Sequence, residues 1–235
     1  DMNLAVTYVK EGVEISRKLQ YNYALGLSLG FNGLINLIMG QVPLAKECLE
    51  EALHIQRKLK DSHGAGFSLS VLALIASKEG KFDLAIDGYK ESIALFAAAP
   101  DNSEEARVQS EIAWLYLSAG KIYEARNHFF ESIELYEKVG SVRGIGLSLI
   151  GIAAVEAEEK NYRRAVEIAT AAELFTKQLG IVNVYTDDFQ GSAYMEKAKS
   201  ELAADELQLA ADSGTKLSVK EALSLAKNFM EADAI

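Results

Sequence analysis

The stretch GQVPLAKECLEEALHIQRKL, residues 40–59, decides the fold because its pattern returns along the chain at intervals of forty residues. One alanine recurs in every copy: Ala5, Ala45, Ala85, Ala125 and Ala165. Seven residues after each alanine stands a small residue: Gly12, Ala52, Ser92, Ser132 and Ala172. Agreement of separate columns in one register indicates a tandem repeat, which is identified before any other feature.

Each repeat is predicted to be a pair of helices, because small and apolar residues recur three or four positions apart. Gly40, Gly80 and Gly120 end the first helix of their repeats, where glycine adopts the left-handed conformation at little cost. Pro43 suits the first turn of the next helix. The pattern predicts about eleven helices without a β-sheet and buries the five alanines at contacts within the repeats. The glycine-rich stretches SHGAG (62–66) and GSVRGIG (140–146) are interpreted as turns between repeats.

The order of small residue, turn glycine, alanine, aromatic and small residue resembles the tetratricopeptide repeat (TPR). The small residue of the first helix is Gly33, Ala73, Ala113 and Ala153, and the aromatic is Tyr89 and Phe129. In two other repeats, Leu49 and Ala169 replace the aromatic residue at this position. The resemblance implies an all-α fold, a right-handed superhelix of helix pairs with a C-terminal helical cap. The forty-residue unit is longer than the usual thirty-four. It resembles the arrays of bacterial signal-transduction ATPases and maltose-regulon-type transcriptional activators.

The register predicts two regions. Residues 1–181 form the repeat array, with half a repeat followed by four full repeats, and residues 182–235 form capping helices. A helical end outside the register shields the last apolar face of an array. Asp187 and Asp188 are expected to cap a helix that carries Tyr194, and Ser218 with Glu221 forms a capping box for the last helix. Because the chain begins within the second half of a repeat, we expect a fragment of a longer protein.

Composition disfavours several classes of partner. The formal net charge of −10 disfavours nucleic-acid binding, since proteins neutralise phosphates with lysine and arginine. It also disfavours docking on an anionic membrane, and no apolar run reaches the roughly 18–20 residues of a membrane span. The single cysteine, Cys48, can form no internal disulfide, which is typical of a reducing compartment. We therefore expect a cytoplasmic protein.

No motif of catalysis or ligation emerges from the sequence. His54, His63 and His128 are scattered, and Cys48 lies six residues from His54 on a different face of the helix. The glycine-rich stretches lack the Lys-Ser/Thr of a phosphate loop, and neither a nucleophile elbow nor a zinc-protease helix occurs. The sequence therefore predicts a protein that is not an enzyme and that holds neither a metal nor a cofactor.

In the family that the chain resembles, the first helices line a concave groove at positions two, five, nine and twelve of each repeat. The positions that we select as groove-binding residues are Leu27, Leu34, Leu37, Phe67, Leu74, Arg107, Ser110, Trp114, Leu117, Leu147 and Ile150. An exposed apolar strip of this kind usually marks a surface for a partner. The alternative is a tighter superhelix in which the strip is ordinary core.

The leading hypothesis is a scaffold that binds a peptide or helix in the groove and regulates a larger bacterial signalling or transcription protein. Its partner is another protein, or upstream domains of the same chain, with self-association as a further class. The alternative is a sensor of a small molecule, for example a sugar, held beside Arg107, Ser110 and Trp114. Trp114, the single tryptophan, is either an anchor of the groove or core between repeats.

Overall fold

The computed structural model describes residues 2–98, 101–177 and 191–227, and nearly all of them are helical. The twelve described helices are α1 (Met2–Lys18), α2 (Asn22–Ile38), α3 (Val42–Leu59), α4 (Ser62–Lys78), α5 (Phe82–Ala98), α6 (Asn102–Ser118), α7 (Ile122–Lys138), α8 (Val142–Glu158), α9 (Tyr162–Lys177), α10 (Ser192–Ser200), α11 (Ala204–Gly214) and α12 (Val219–Lys227). No strand occurs in these ranges. The predicted all-α fold class is confirmed.

The chain divides into two compact units, Asp1–Val108 and Gln109–Ile235, with the boundary inside α6. We call them the first unit and the second unit and describe each by itself. The predicted division between array and cap, residues 1–181 and 182–235, falls outside the described residues and stays a prediction.

The first unit is built from pairs of helices that repeat the same contact. Within repeats α2 packs on α3 and α4 packs on α5, and between repeats α1 packs on α2 and α3 packs on α4. Gly33 lets α2 approach α3 closely, since a Cβ here would overlap the side chain of Leu49. Leu49, Tyr89 and Phe96 are among the largest fully buried side chains of this unit.

The second unit continues the pattern and adds three helices outside it. α8 packs on both α7 and α9, around the fully buried side chains of Phe129, Ile152 and Ile168. α10 contacts α8 and α9, while α11 and α12 pack on α9. The guanidinium of Arg164 on α9 donates to the carbonyl oxygen of Leu225 on α12 at 2.6 Å. The helices after the array are thus held by the last repeat.

The turns inside the repeats take the predicted backbone conformation. Gly40 and Gly80 have φ +74° and Gly120 has φ +71°, all in the left-handed region. Lys160 holds the corresponding place in the last repeat with φ +67°, a conformation that a residue with a side chain adopts only at a cost. The assignment of these residues as helix ends is confirmed.

The interpretation of SHGAG as a turn was wrong, because α4 already begins at Ser62. For GSVRGIG it holds only at Gly140, with φ +68°, and Ser141, because α8 begins at Val142. Asp61 caps α4, and its carboxylate accepts a hydrogen bond from the Gly64 N–H at 3.0 Å. Ser141 caps α8 in the same way through the N–H of Gly144. These caps extend each first helix by one turn and leave the glycines inside it.

Those glycines serve helix packing instead of a turn. A Cβ at Gly66 would lie 3.1 Å from Cζ of Phe96, and one at Gly144 would overlap the ring of Tyr136. Both positions therefore bring α4 and α8 close to an aromatic side chain on a second helix.

The reference alanines are buried in four of the five copies. Ala45, Ala85, Ala125 and Ala165 are fully buried, whereas Ala5 is only half-buried, so the prediction was wrong for the first copy. α3 packs against first helices on two sides, α2 and α4, whereas the main contact of α1 among the described helices is with α2. Ala5 on α1 is therefore less covered than Ala45 on α3.

Helix caps outside the repeats agree in part with the sequence. At the start of α6, Asp101 accepts hydrogen bonds from two N–H groups of the first turn. Ser218 and Glu221 form the predicted capping box, with the Ser218 N–H donating to the Glu221 carboxylate at 2.8 Å. Asp187 and Asp188 lie outside the described residues. Among the described helices, none is long and apolar enough to cross a membrane.

Candidate functional site

The first helices of the repeats present one side of each unit, which we call the first-helix face. In the first unit this face carries apolar side chains of α2 and α4. Leu27 and Phe31 lie one turn apart on α2, and each is 46% exposed. The ring of Phe31 packs on that of Phe67 from α4, with centroids 5.4 Å apart. This pair of rings forms an aromatic surface that solvent reaches.

The other predicted residues of the first unit surround this surface at different depths. Leu37, Phe67 and Leu74 are half-buried. Leu34 is buried in a cluster with Leu49, so its side chain offers little area to a partner.

Arg107 adds a polar edge to the first-helix face of the first unit. Its guanidinium donates to the hydroxyl of Ser70 on α4 at 2.9 Å and to the carboxylate of Glu104. Ser70 is buried and donates in turn to the carbonyl oxygen of Phe67. Arg107 is therefore hydrogen-bonded to α4 and lies at the edge of the aromatic surface.

The first-helix face of the second unit is more deeply buried. Trp114 on α6 is half-buried and meets the fully buried ring of Phe129 edge-on, with centroids 5.1 Å apart. Leu117 and Ile150 are buried. The other predicted residues of this unit, Ser110 and Leu147, are half-buried. Trp114 is thus neither a free anchor nor a fully buried core residue.

A helix outside the repeats covers part of this face. The ring of Tyr194 on α10 lies against Trp114, with centroids 6.3 Å apart and an interplanar angle of 37°. Lys197, also on α10, donates to the carboxylate of Glu158 at the end of α8, at 3.3 Å. Burial, and then the negative charge of Glu158, raises the pKa of the Tyr194 hydroxyl.

A buried carboxylate lies near the end of α8. Glu156 is fully buried, and its Oε2 accepts a hydrogen bond from the Asn161 amide at 3.0 Å. Within the described ranges its Oε1 has no hydrogen-bond partner, and Nη2 of Arg126 is 4.0 Å away. Burial raises the pKa of Glu156, although the positive charge of Arg164 opposes the shift. Keeping this carboxylate ionised in a buried site costs folding free energy, and its surroundings do not form a catalytic arrangement.

The described part of the chain offers no metal cluster, and the cavity that it forms at α9 lies away from the predicted groove residues. Among the described residues no group of three or more His, Cys, Asp or Glu side chains could hold a metal ion. A cavity of about 500 Å³ opens at the start of α9. It is lined by Lys160, Asn161, Tyr162, Arg163, Arg164, Glu167, Leu202 and Leu225, none of them a predicted groove residue.

Two residues of these faces escaped the sequence analysis. Phe31 lies one turn after Leu27, and this spacing of four residues is the signal that would have found it. Tyr194 was placed on a helix, but its contact with Trp114 joins residues eighty positions apart. No local pattern encodes such a contact.

Comparisons with known proteins agree with the repeat. The family model of the tetratricopeptide repeat matches residues 68–138. No curated protein matches the chain. The crystal structure of BtubC (BKLC) from P. vanneervenii has a TM-score of 0.65 at 16% identity and covers 99% of this chain and 92% of its own. The crystal structure of a variant of a Podosopora anserina putative kinesin light chain with nearly identical TPR-like repeats has a TM-score of 0.58 at 20% identity. It covers 76% of this chain and 88% of its own.

At these identities the solved structures establish the fold alone. The family match covers the middle of the chain, and TPR-like folds extend over most of it. Together these findings support a tetratricopeptide-repeat protein, a class that generally mediates protein–protein interaction.

Proposed function

We propose that this chain is a non-catalytic interaction scaffold whose first unit binds a peptide or helix of a protein partner on its first-helix face. The observation that carries the proposal is the exposure of Leu27 and Phe31, each 46%, beside the ring of Phe67. An exposed cluster of large apolar side chains on one helix face is typical of an interaction site.

The chemistry of the surface defines its ligand. Leu27 and Phe31 are spaced four residues apart on α2 and lie beside the ring of Phe67 from α4. An amphipathic helix with apolar residues at intervals of three and four fits such a surface, as does a peptide with one aromatic anchor. The aromatic rings supply rigid apolar area, which concentrates binding free energy.

Charge adds a second criterion for the partner. The chain carries a formal net charge of −10. A ligand with basic residues around its apolar anchor would therefore associate faster, and its on-rate would fall as salt is added.

The same proposal extends to the wider role of the chain. The forty-residue repeat resembles arrays in signalling proteins, so we propose a regulatory domain of a larger bacterial signalling or transcription protein. The single thiol, Cys48, is buried and free, which fits a cytoplasmic location.

The experiment is a peptide selection followed by affinity measurements on matched variants. Peptides selected on the wild-type chain are titrated against Leu27→Ala, Phe31→Ala and Tyr123→Ala. Tyr123 is the control, because it is 73% exposed and lies on a second helix of the other unit. We expect the two first-unit variants to weaken binding by about tenfold or more, as for interface anchors, and Tyr123→Ala to leave it unchanged. Peptides that bind all variants alike would contradict the proposal.

A further inference from the structure

The first-helix face of the second unit already carries a helix. α10 lies against α8 and α9, and it contacts the face through a ring and a charge. Tyr194 packs on Trp114, and Lys197 pairs with Glu158. Trp114 is a residue that the repeat pattern assigns to partner binding, so α10 occupies the place of a partner.

α8 is deeply buried, and besides the repeat helices α7 and α9 it contacts α10 and α12. All residues from 148 to 157 are buried, including Ile150, Ala154 and Ala157, which face the groove by the repeat register. Leu74 and Ser77 on α4 of the first unit correspond to Ala154 and Ala157 in the repeat register. Both are only half-buried. The small side chains of Ala154 and Ala157 leave room for the close approach of another helix.

α10 has the pattern of a helix that binds in a groove. Its apolar face consists of the adjacent residues Tyr194 and Met195 and, about one turn later, Ala198. Met195 and Ala198 are buried, whereas Glu196 and Lys199 on the opposite face are exposed.

The attachment of α10 is weak compared with that of the repeats. The helix has nine residues, a length that is marginal for an isolated helix. Met195 and Ala198 are its fully buried side chains, and both members of the Lys197–Glu158 pair are solvent-exposed in part. Exposed ion pairs contribute about 0–1 kcal/mol. We therefore expect local opening of α10 to cost less free energy than opening of α8 or α9.

We propose that α10 is an intramolecular ligand of the second unit. A partner helix that presents an aromatic side chain to Trp114 and a cation to Glu158 binds this face by displacing α10. The inference rests on the proposed function, in that it takes the first-helix face as a binding surface. It adds that this surface is autoinhibited in the second unit.

The first test follows the wild-type chain by hydrogen–deuterium exchange. We expect the amides of α10 to exchange well before those of α8 and α9, because α10 opens locally. Exchange of α10 as slow as that of α8 would overturn the proposal, since no partner could then displace it without unfolding the unit. This measurement needs no variant, so it stands even where a substitution impairs folding.

The second test uses Trp114, the single tryptophan of the chain, as a fluorescent probe. In Tyr194→Ala we expect the quenching constant of Trp114 with acrylamide to rise about twofold or more, because its cover is lost. Tyr123→Ala, which removes an exposed tyrosine of the same unit, should leave quenching unchanged.

A peptide with the sequence GSAYMEKAKSEL, residues 191–202, is then added to the Tyr194→Ala chain. We expect it to restore the protection of Trp114, while the same peptide with alanine in place of tyrosine does not. Failure of the peptide to protect Trp114, or unchanged quenching in Tyr194→Ala, would overturn the proposal. Neither result depends on Leu27 or Phe31. Failure of this proposal can therefore be distinguished from failure of the function proposed for the first unit, which is tested at those two residues.

Discussion

α4 of the first unit and α8 of the second hold the same place in the repeat but meet different surroundings. Leu74 and Ser77 on α4 are half-buried, whereas Ala154 and Ala157 at the same positions of α8 are fully buried. α8 is in contact with α10, a helix outside the repeat. The repeat register indicates which residues form the first-helix face, and we infer that helices outside the register decide how much of that face is exposed.

The largest effect that we expect is a difference in unfolding free energy between alanine substitutions at two glycines of the first helices, one tightly packed and one with free space around it. In the second unit a Cβ at Gly151 would overlap the ring of Phe129, while in the first unit a Cβ at Gly30 would find its nearest atom at 3.6 Å. Gly151→Ala should cost about 1–3 kcal/mol of unfolding free energy, as overpacking does. Gly30→Ala should be neutral or stabilising by up to about 1 kcal/mol, because alanine favours helix.

Chemical denaturation of the two variants measures this difference. Equal unfolding free energies for Gly151→Ala and Gly30→Ala would contradict the difference between the close packing at Gly151 and the free space at Gly30.

A smaller difference should distinguish the aromatic residues of the two faces. Trp114 is half-buried between Phe129 and Tyr194, so Trp114→Ala should cost about 2 kcal/mol, below the roughly 3–5 kcal/mol of a full core position. Phe31 is more exposed and packs on one ring, so Phe31→Ala should cost about 1 kcal/mol. The melting temperatures of both variants show which substitution causes the larger loss of stability. A larger loss for Phe31→Ala would reverse the assignment of the open face.

The smallest effect concerns the buried carboxylate of the second unit. Burial raises the pKa of Glu156, an effect that Arg164, Asn161 and Arg126 oppose and Glu159 increases. Because the folded chain favours the protonated form, the stability that this group contributes is complete at low pH. It is lost as the pH rises from the ordinary carboxyl pKa through the raised pKa of the folded state.

Glu156→Gln should therefore match the wild type near about pH 4 and become the more stable protein as the pH approaches neutrality. The first unit has a neutral amide at this repeat position, Asn36, which is buried and donates to the Asn32 carbonyl oxygen at 2.8 Å. Thermal melts of both proteins across this pH range test the sign. A variant that is less stable at neutral pH would mean that the attraction between ionised Glu156 and its arginines outweighs burial.

Sequence predicts the features that depend on local geometry. The turn glycines and the crossing residues such as Gly33 recur in register because each copy needs the same backbone conformation or the same close approach. The start of α4 was missed because the glycines of SHGAG were assigned to a turn, whereas Asp61 caps a helix that contains them. The contact of Tyr194 with Trp114 could not be predicted from the sequence, because Tyr194 lies outside the repeat and only the tertiary fold brings the two rings together.

The most direct test of the difference between the two faces is the rate of thiol labelling at one repeat position. Ser77→Cys on α4 and Ala157→Cys on α8 are small changes at equivalent sites, and the native thiol, Cys48, is buried. A maleimide should label Ser77→Cys at least about ten times faster than Ala157→Cys, because modification follows exposure of the thiol. Adding Tyr194→Ala should accelerate labelling at Ala157→Cys alone. Equal rates at the two positions, or no acceleration, would contradict an open face in the first unit and a covered face in the second.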